Sequence, residues 1–392
     1  MARFLWASFD GGGNVPCGLG VSRDLVANGH EVSFVGRPEM VDRVAPTGFR
    51  TIELSTSYVH ADRYSWHPRG RIFSYLTSPA VGDELLAVAA RERPDVVVID
   101  AMFGAALAVA PRFAVPTVGI LQSFLNRTID GWNDMMGAQS EARQRCGFDP
   151  LPPLEQLWGD LDLVQVNALE QFDGPPRTGL KNLRYGGPIF EDDDRAAPIR
   201  LPWDPADPTP LVLVSFSTAD VQVSVSKLQR SLDALAELPV HVVVTTGGID
   251  PARLSIAENA YAVQFASHGP LMRLASLLVT HCGHGTAMRA LSHGLNMVCV
   301  TGKAADQEAA SFDQEPIGEF VEEYGVGRSV PAEASVARIR AVVESAITDH
   351  EARRNARALA GRLRASQGAA DATRELVALL DPPSPWAREV SA

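Results

Sequence analysis

The residues best suited to chemistry lie in one segment, VTHCGHGTAMRALSHG at 279–294. An apolar run reads into His281, a turn carries Gly283 and Gly285, and Thr286 opens a helical pattern. A strand that ends in a glycine-rich turn aims backbone N–H groups and the positive end of a helix dipole at one point. Phosphate is the natural occupant. Glycine permits its close approach, and the Thr286 hydroxyl and His281 imidazole add donors. An ordinary strand-to-helix turn with incidental histidines fits the glycine pattern nearly as well, so the surrounding chain has to decide. No residues have the spacing of a divalent-metal site, and the acidic run at 191–194 reads as a solvated loop. Cys17, Cys146, Cys282 and Cys299 form no CxxC pair. Neither a zinc site nor a disulfide framework is expected, and the thiols are read as reduced.

The elements around this segment alternate in type. Residues 3–9 and 31–36 read as strands flanking a turn at 11–13 and a helix at 18–28. Helices are expected at 84–92 and 105–113, and strands at 95–99, 116–121, 163–167 and 183–185. The continuous apolar run DVVVI suits a parallel strand covered on both faces. Residues 195–210 hold five prolines and read as a semi-rigid linker. Beyond them the pattern restarts, with strands at 211–216, 240–246, 277–281 and 297–300, helices at 224–237, 269–275 and 285–292, and further helices over most of 316–380. The fold class is α/β, with two Rossmann-like domains facing across a cleft. Open α/β sheets bind ligands at the carboxyl ends of their strands. The expected division is an N-terminal domain at 1–194, the linker at 195–210, a C-terminal domain at 211–372, and a helix and tail at 373–392 packing back toward the N-terminal domain.

At 392 residues, with 46% hydrophobic and 21% charged, the composition is that of an ordinary globular chain of two domains. The net charge of −12 does not suit a dedicated nucleic-acid binder, which needs a basic face. No apolar run is long enough to span a bilayer, and the N-terminus lacks the parts of a secretory signal. A soluble, cytoplasmic protein is expected, without nucleic acid or stable membrane insertion. A two-domain dehydrogenase would need GxGxxG after the first strand. Residues 11–16 read GGGNVP, and Gly36-Arg37 offers no acid after the second strand.

Residues 279–294 resemble the nucleotide-sugar signature of the UDP-glycosyltransferase superfamily, whose bacterial members glycosylate macrolides and aromatic polyketides. The likeness extends along the chain through 9–35, 92–118, 182–190 and 211–218, and through Asp313-Gln314, twelve residues before Gly325. It implies the GT-B architecture, with an acceptor-binding first half and a donor-binding second half. By that resemblance His281, Thr286 and the backbone of Gly283, His284 and Gly285 contact a diphosphate. Ser217 and Thr218 face phosphates or sugar, Phe265 to His268 lie under the base, and Asp313-Gln314 hold sugar hydroxyls. No cofactor is implied, the NDP-sugar being a co-substrate, and no metal, since fixed dipoles can meet the charge of the leaving diphosphate.

The acceptor side is expected in the loop holding Gly12 and Gly13, in the aromatic segment with Tyr58, Tyr64, Trp66 and Phe73, at Phe103, and at Gln122, Ser123 and Trp132. An aromatic-rich wall suits a flat or greasy aglycone.

The chain departs from the family at several points. The family's general base is a histidine sixteen residues before the His of its Gly-His pair, and that position here is Asn14, whose amide takes no proton at neutral pH. Its partner acid is retained as Asp100. Asp100 is therefore the first candidate base, with Asp134 and His60 behind it, and an acidic phenol would soften the loss. Arg289 replaces a glutamate that contacts ribose hydroxyls, which either favours a dTDP-sugar or sets Arg289 against a phosphate. Asn296 and Thr301 stand where prolines are common. A seven-residue insertion duplicates the Asp-Gln pair, so Asp306-Gln307 competes with the favoured Asp313-Gln314.

The expectation is an inverting, metal-independent glycosyltransferase moving a (deoxy)sugar from a dTDP- or UDP-sugar to a hydrophobic, phenolic natural-product aglycone, O- or C-linked. The alternative is a catalytically impaired GT-B protein that binds nucleotide or a partner enzyme. Whether the chain forms a homodimer stays open.

Overall fold

The structure, a computed structural model, describes residues 1–190, 199–217, 219, 222–308 and 310–380. In chain order its first elements are β1 (Arg3–Ala7), α1 (Asn14–Ala27), β2 (Glu31–Gly36), α2 (Pro38–Val44), β3 (Arg50–Glu53), α3 (Gly70–Thr77) and α4 (Pro79–Glu92). There follow β4 (Val96–Asp100), α5 (Gly104–Leu107), β5 (Thr117–Leu121), α6 (Ile129–Arg145), α7 (Leu154–Gly159), β6 (Leu163–Val166) and β7 (Leu183–Tyr185). Then come β8 (Leu211–Ser215), α8 (Val225–Leu235), β9 (His241–Thr245), β10 (Ala260–Val263), α9 (His268–Leu274), β11 (Leu277–Thr280), α10 (His284–Ser292) and β12 (Met297–Thr301). The chain ends in α11 (Gln314–Glu323), β13 (Gly327–Pro331), α12 (Val336–Thr348), α13 (His350–Ala365) and α14 (Gly368–Ala378).

Two compact units form, one from Met1–Ile189 with 367–380 and one from Phe190–Ser366. The first holds a sheet of order β3-β2-β1-β4-β5-β6-β7 and the second a sheet of order β10-β9-β8-β11-β12-β13. Every pairing in both is parallel. These are the two doubly wound domains expected from the alternation of apolar runs. β4, β5, β8 and β12 are buried along their whole length, as strands with helices on both faces must be. In each sheet the strand order reverses once, between β1 and β4 and between β8 and β11. Crossovers leave on opposite faces at those points, which opens a crevice at the carboxyl ends of the strands.

Several elements differ from expectation. β3, β10 and β13 are short outer strands, half-buried along β10 and of mixed exposure along β3 and β13, too weak a pattern to stand out. Helix α6 occupies much of what reads as loop. Its buried residues Ile129, Trp132, Met136, Gln139, Ala142 and Arg143 recur at helical spacing, but half of them are polar or sulfur-bearing and blur the stripe.

The boundary expected at 372 falls inside α14. The apolar face of this helix, with Ala372 and Leu376, joins Val15, Leu19 and Ile189 in the core of the first unit. Residues 191–198, and so part of the linker, and the tail beyond 380 lie outside the described residues. The expectation of four reduced thiols is corrected for one pair. Cys282 and Cys299 are joined in a disulfide with Cα atoms 5.3 Å apart. The pairing of β11 with β12 sets Thr280 against Cys299, and the turn after β11 then brings Cys282 beside it, a proximity that a separation of seventeen residues hides. Cys17 and Cys146 are free and buried.

Leu376 is fully buried in that shared core. Leu376→Ala is therefore expected to lower the stability of the first unit by about 2–5 kcal/mol. Urea unfolding checks this, and an unchanged midpoint would show that α14 docks without contributing.

Candidate functional site

The donor half is built at the reversal point of the second sheet. β8 ends in Ser215, β9 in Thr245 and β11 in Thr280, just before His281. Ser215 Oγ accepts from Thr245 Oγ1 at 3.0 Å, and His268 Nε2 lies 3.2 Å from both hydroxyls. His268 therefore braces these strand ends. Phe265, three residues before it in the preceding loop, is 67% exposed. Cys282 turns the chain with φ +68°, a left-handed conformation uncommon for a residue with a side chain. Gly283 then caps α10. A Cβ at Gly283 would stand 2.6 Å from His281 Nε2, so only glycine lets the imidazole lie there. A Cβ at Gly285 would meet nothing within 4 Å, so the space before the helix is open. The N-cap of α10 is a glycine, which supplies no side-chain acceptor to the first amides of the helix. Thr286 is half-buried in the same turn.

Both histidines of the turn are neutral at physiological pH. Burial, then the nearby Lys227 ammonium, push His281 down to about 3, against a hydrogen bond to the Ser215 backbone. Burial alone pushes His284 down to about 4. His281 Nδ1 is buried without a partner.

The two Asp-Gln pairs are placed differently. Asp306 accepts from Ser224 Oγ at 2.5 Å and from Ser226 N and Oγ at 2.8 and 2.7 Å, fastening the start of α8. Gln307 accepts from Ala304 N at 3.0 Å and donates to the Gln222 carbonyl. Their polar atoms are spent inside the unit, which weighs against a donor role. Asp313 caps α11, and Gln314, fully buried, begins it with an amide oxygen that has no partner. Ser217 Oγ accepts from Ala219 N at 3.1 Å, Arg289 sits over the Phe190 ring at 5.0 Å, and Thr218 lies outside the described residues.

The other candidate group lies at the reversal point of the first sheet. Asp100 ends β4 and is 1% exposed. Its Oδ1 accepts from Met102 N at 3.0 Å and its Oδ2 from Asn14 Nδ2 at 2.9 Å. Asn14 also donates to the Phe9 carbonyl at 2.8 Å, and its Oδ1 accepts from Gly11 N at 2.9 Å. Asn14 thus fixes the carboxylate and closes the loop holding Gly12, at φ +87°, and Gly13, the cap of α1. Burial raises Asp100 to about 6, partly offset by the bonds from Met102 and Asn14.

Three residues expected on the acceptor wall are instead core. Tyr64 is fully buried against Ala142 and Cys146 and accepts from Thr77 Oγ1 at 2.7 Å. Phe103 is fully buried 4.5 Å from the Tyr75 ring. Trp132 is buried on Trp158 and donates to the Phe124 carbonyl. Each occurs in a helix or at a helix start, where an aromatic turns inward for its apolar area.

Trp66, 43% exposed, lies under the Arg145 guanidinium, and Phe73 packs on His67. Tyr58 donates to Glu39 with Arg71 over its ring. Ser123 is buried. Gln122, just past β5, keeps both amide atoms buried without partners. Asp134 is exposed on α6, and His60 packs on Phe148 in a left-handed turn. Among the described residues, no contact joins either to Asp100. Sequence reading missed Gln139, which donates to the Met102 carbonyl at 2.9 Å and accepts from Gly104 N; Tyr75, the last residue of the aromatic segment, donates to the Ser8 carbonyl at 2.6 Å. Both act across long separations that leave no local signal.

The chain is similar to known proteins over most of its length. No family model matches the chain. It is 24% identical over 420 residues to the demethyllactenocin mycarosyltransferase of Streptomyces fradiae, covering 97% of this chain and 87% of the relative. It is also 24% identical to the oleandomycin glycosyltransferase of Streptomyces antibioticus, covering 96% and 90%. The chain has the fold of the GT-B glycosyltransferases. The calicheamicin glycosyltransferase CalG4 superposes with a TM-score of 0.72 at 22% identity, over 98% of this chain and all of that one. Glycosyltransferase VinC, solved with dTDP, superposes at 0.69 and 18% identity, over 96% and 99%. No helix among the described residues is long and apolar enough to cross a membrane.

The raised Asp100 sets a stability test of this fold. Its neutral form suits the fold, so the contribution is complete below about pH 4 and is lost as pH rises through about 6. Relative to wild type, Asp100→Asn is expected to gain up to about 3 kcal/mol between those limits. Denaturant titrations across the range check it, and a constant difference would mean that burial does not destabilise the carboxylate.

Proposed function

We propose that the protein is an inverting, metal-independent natural-product glycosyltransferase that takes a deoxysugar from a dTDP-sugar and places it on a hydrophobic, phenolic aglycone. The observation that carries the reading is the glycine-capped start of α10 beside open space at Gly285, with neutral His281 and His284 adjoining it. Charge develops on the diphosphate as the sugar leaves. Amides fixed by a helix meet that charge without reorganising. Thr286 adds a hydroxyl, and Gln314 offers an unpartnered buried carbonyl oxygen to a sugar hydroxyl. VinC was solved with dTDP, and the relatives are named for mycarosyl and oleandomycin transfer. Arg289, in place of a ribose-binding glutamate in the resembled family, fits a nucleotide that lacks the 2′-hydroxyl.

Asp100 is the proposed base. Raised to about 6, it is ionised at neutral pH yet basic enough to accept a phenolic proton. Asn14 orients it and takes no proton itself. A phenolate formed this way is nucleophilic at oxygen and at the ring carbons beside it, so both linkages are within reach of one site.

Incubating the purified protein with dTDP- and UDP-sugars and a panel of phenolic and macrolide acceptors is expected to release nucleoside diphosphate and give a glycoside of inverted anomeric configuration. Nucleotide binding with neither transfer nor donor hydrolysis would overturn the reading in favour of a non-catalytic protein. Asp100→Asn is expected to lower kcat/KM roughly 10²–10⁴-fold. The wild-type rate should fall as pH drops through about 6, and undiminished turnover in the variant would remove Asp100 from the role.

A further inference from the structure

We propose that Lys227 binds the diphosphate of the donor beside the signature turn, as a cation supplied by α8. The proposal deepens the reading above, since it rests on the second unit holding a nucleoside diphosphate.

Lys227 occupies the third position of α8 and is 2% exposed. Its Nζ donates to the Gly302 carbonyl at 2.9 Å and lies 5.8 Å from the centre of the Phe216 ring. Phe216 directly follows β8 and Gly302 directly follows β12, while β11, which leads into His281, runs between those two strands. The ammonium therefore sits at the carboxyl ends of the same strands that carry the turn. Its field reaches His281, whose charged form it disfavours.

An ammonium has three N–H donors, and one of them is used among the described residues. A buried charge is costly unless an opposite charge or a full set of acceptors compensates it. The neighbouring carboxylates do not supply that. Asp306 is taken up by Ser224 and Ser226, and Glu333 pairs with Arg230 at 3.2 Å and accepts from Ala305 N. Arg230, one turn along α8, adds a like charge. Burial and Arg230 push the ammonium down to about 8, and Asp306 and Glu333 oppose them. An under-compensated cation, a glycine-capped helix start and a neutral imidazole at one sheet edge together describe a seat for a multiply charged anion. A bound diphosphate would favour the charged lysine, so affinity is greatest below the lysine's own pKa and is lost as pH rises through about 8.

The test is calorimetric titration of dTDP, which carries no sugar, and of thymidine, which carries no phosphate, onto wild type, Lys227→Met and Lys227→Arg. Lys227→Met is expected to weaken dTDP roughly tenfold to a hundredfold and to leave thymidine unchanged, with Lys227→Arg retaining most of the affinity. Wild-type affinity for dTDP should fall between about pH 7 and pH 9, and Lys227→Arg should remove that fall. A folded Lys227→Met that binds dTDP as wild type does overturns the inference. If Lys227→Met does not fold, the same loss of affinity with pH in wild type and Lys227→Arg overturns it. Wild type that binds no nucleotide at all defeats the functional reading itself, which is a separate and earlier failure.

Discussion

A parallel strand can be joined to the next only by a crossover, and this constraint organises both units. Within each sheet every strand runs the same way, so that sheet's strand-to-helix loops emerge at one edge. Where the strand order reverses, two such loops diverge and leave a crevice between them. Ser8, Asn14 and Asp100 collect at that point in the first sheet, and Ser215, His281 and the start of α10 in the second. Residues far apart in sequence meet because the topology allows their loops no other edge. Asn14 and Asp100, eighty-six positions apart, are joined by one hydrogen bond of 2.9 Å.

The electrostatics of the two places are opposite in design. At the first reversal point a carboxylate is held nearly dry, and burial makes it a stronger base than an ordinary aspartate. At the second the histidines are held neutral by burial, and positive potential comes from fixed backbone dipoles and one buried lysine. The glycosyl transfer proposed above needs both kinds of group. A proton must be taken from the acceptor, and negative charge must be received where the nucleotide departs. Fixed dipoles serve the second task well, because they need no rearrangement as the charge grows.

Hydrogen-bond satisfaction separates groups that build the fold from groups left open to a ligand. Asn14 and Asp306 each make several bonds to backbone and hydroxyl groups, and their conformations follow from those bonds. Gln122 and Gln314 carry buried amide atoms without partners, at the end of β5 and at the start of α11. Such atoms are uncommon in a folded chain, since an unmet buried polar group is destabilising. Their positions, at the same sheet edges as the chemistry, give them a reason to persist.

The alternation of buried apolar runs with helical stretches made the doubly wound class legible from residue order, because a strand covered on both faces has to be continuously apolar. The strand–turn–helix at 279–294 was legible for a similar reason, since glycine, imidazole and hydroxyl are adjacent along the chain. Which polar residues are spent and which are open was decided only in three dimensions. Asp306-Gln307 and Asp313-Gln314 are alike as dipeptides and differ only in what lies against them. Tyr64, Phe103 and Trp132 read as an aromatic wall and turned inward, because an aromatic on a helix gains more from burial than from display. The disulfide between Cys282 and Cys299 and the burial of Lys227 depend on strand neighbours that no local pattern encodes. Local spacing fixes the period of an element and its turns, whereas burial and pairing belong to contacts that exist only once the sheets have closed.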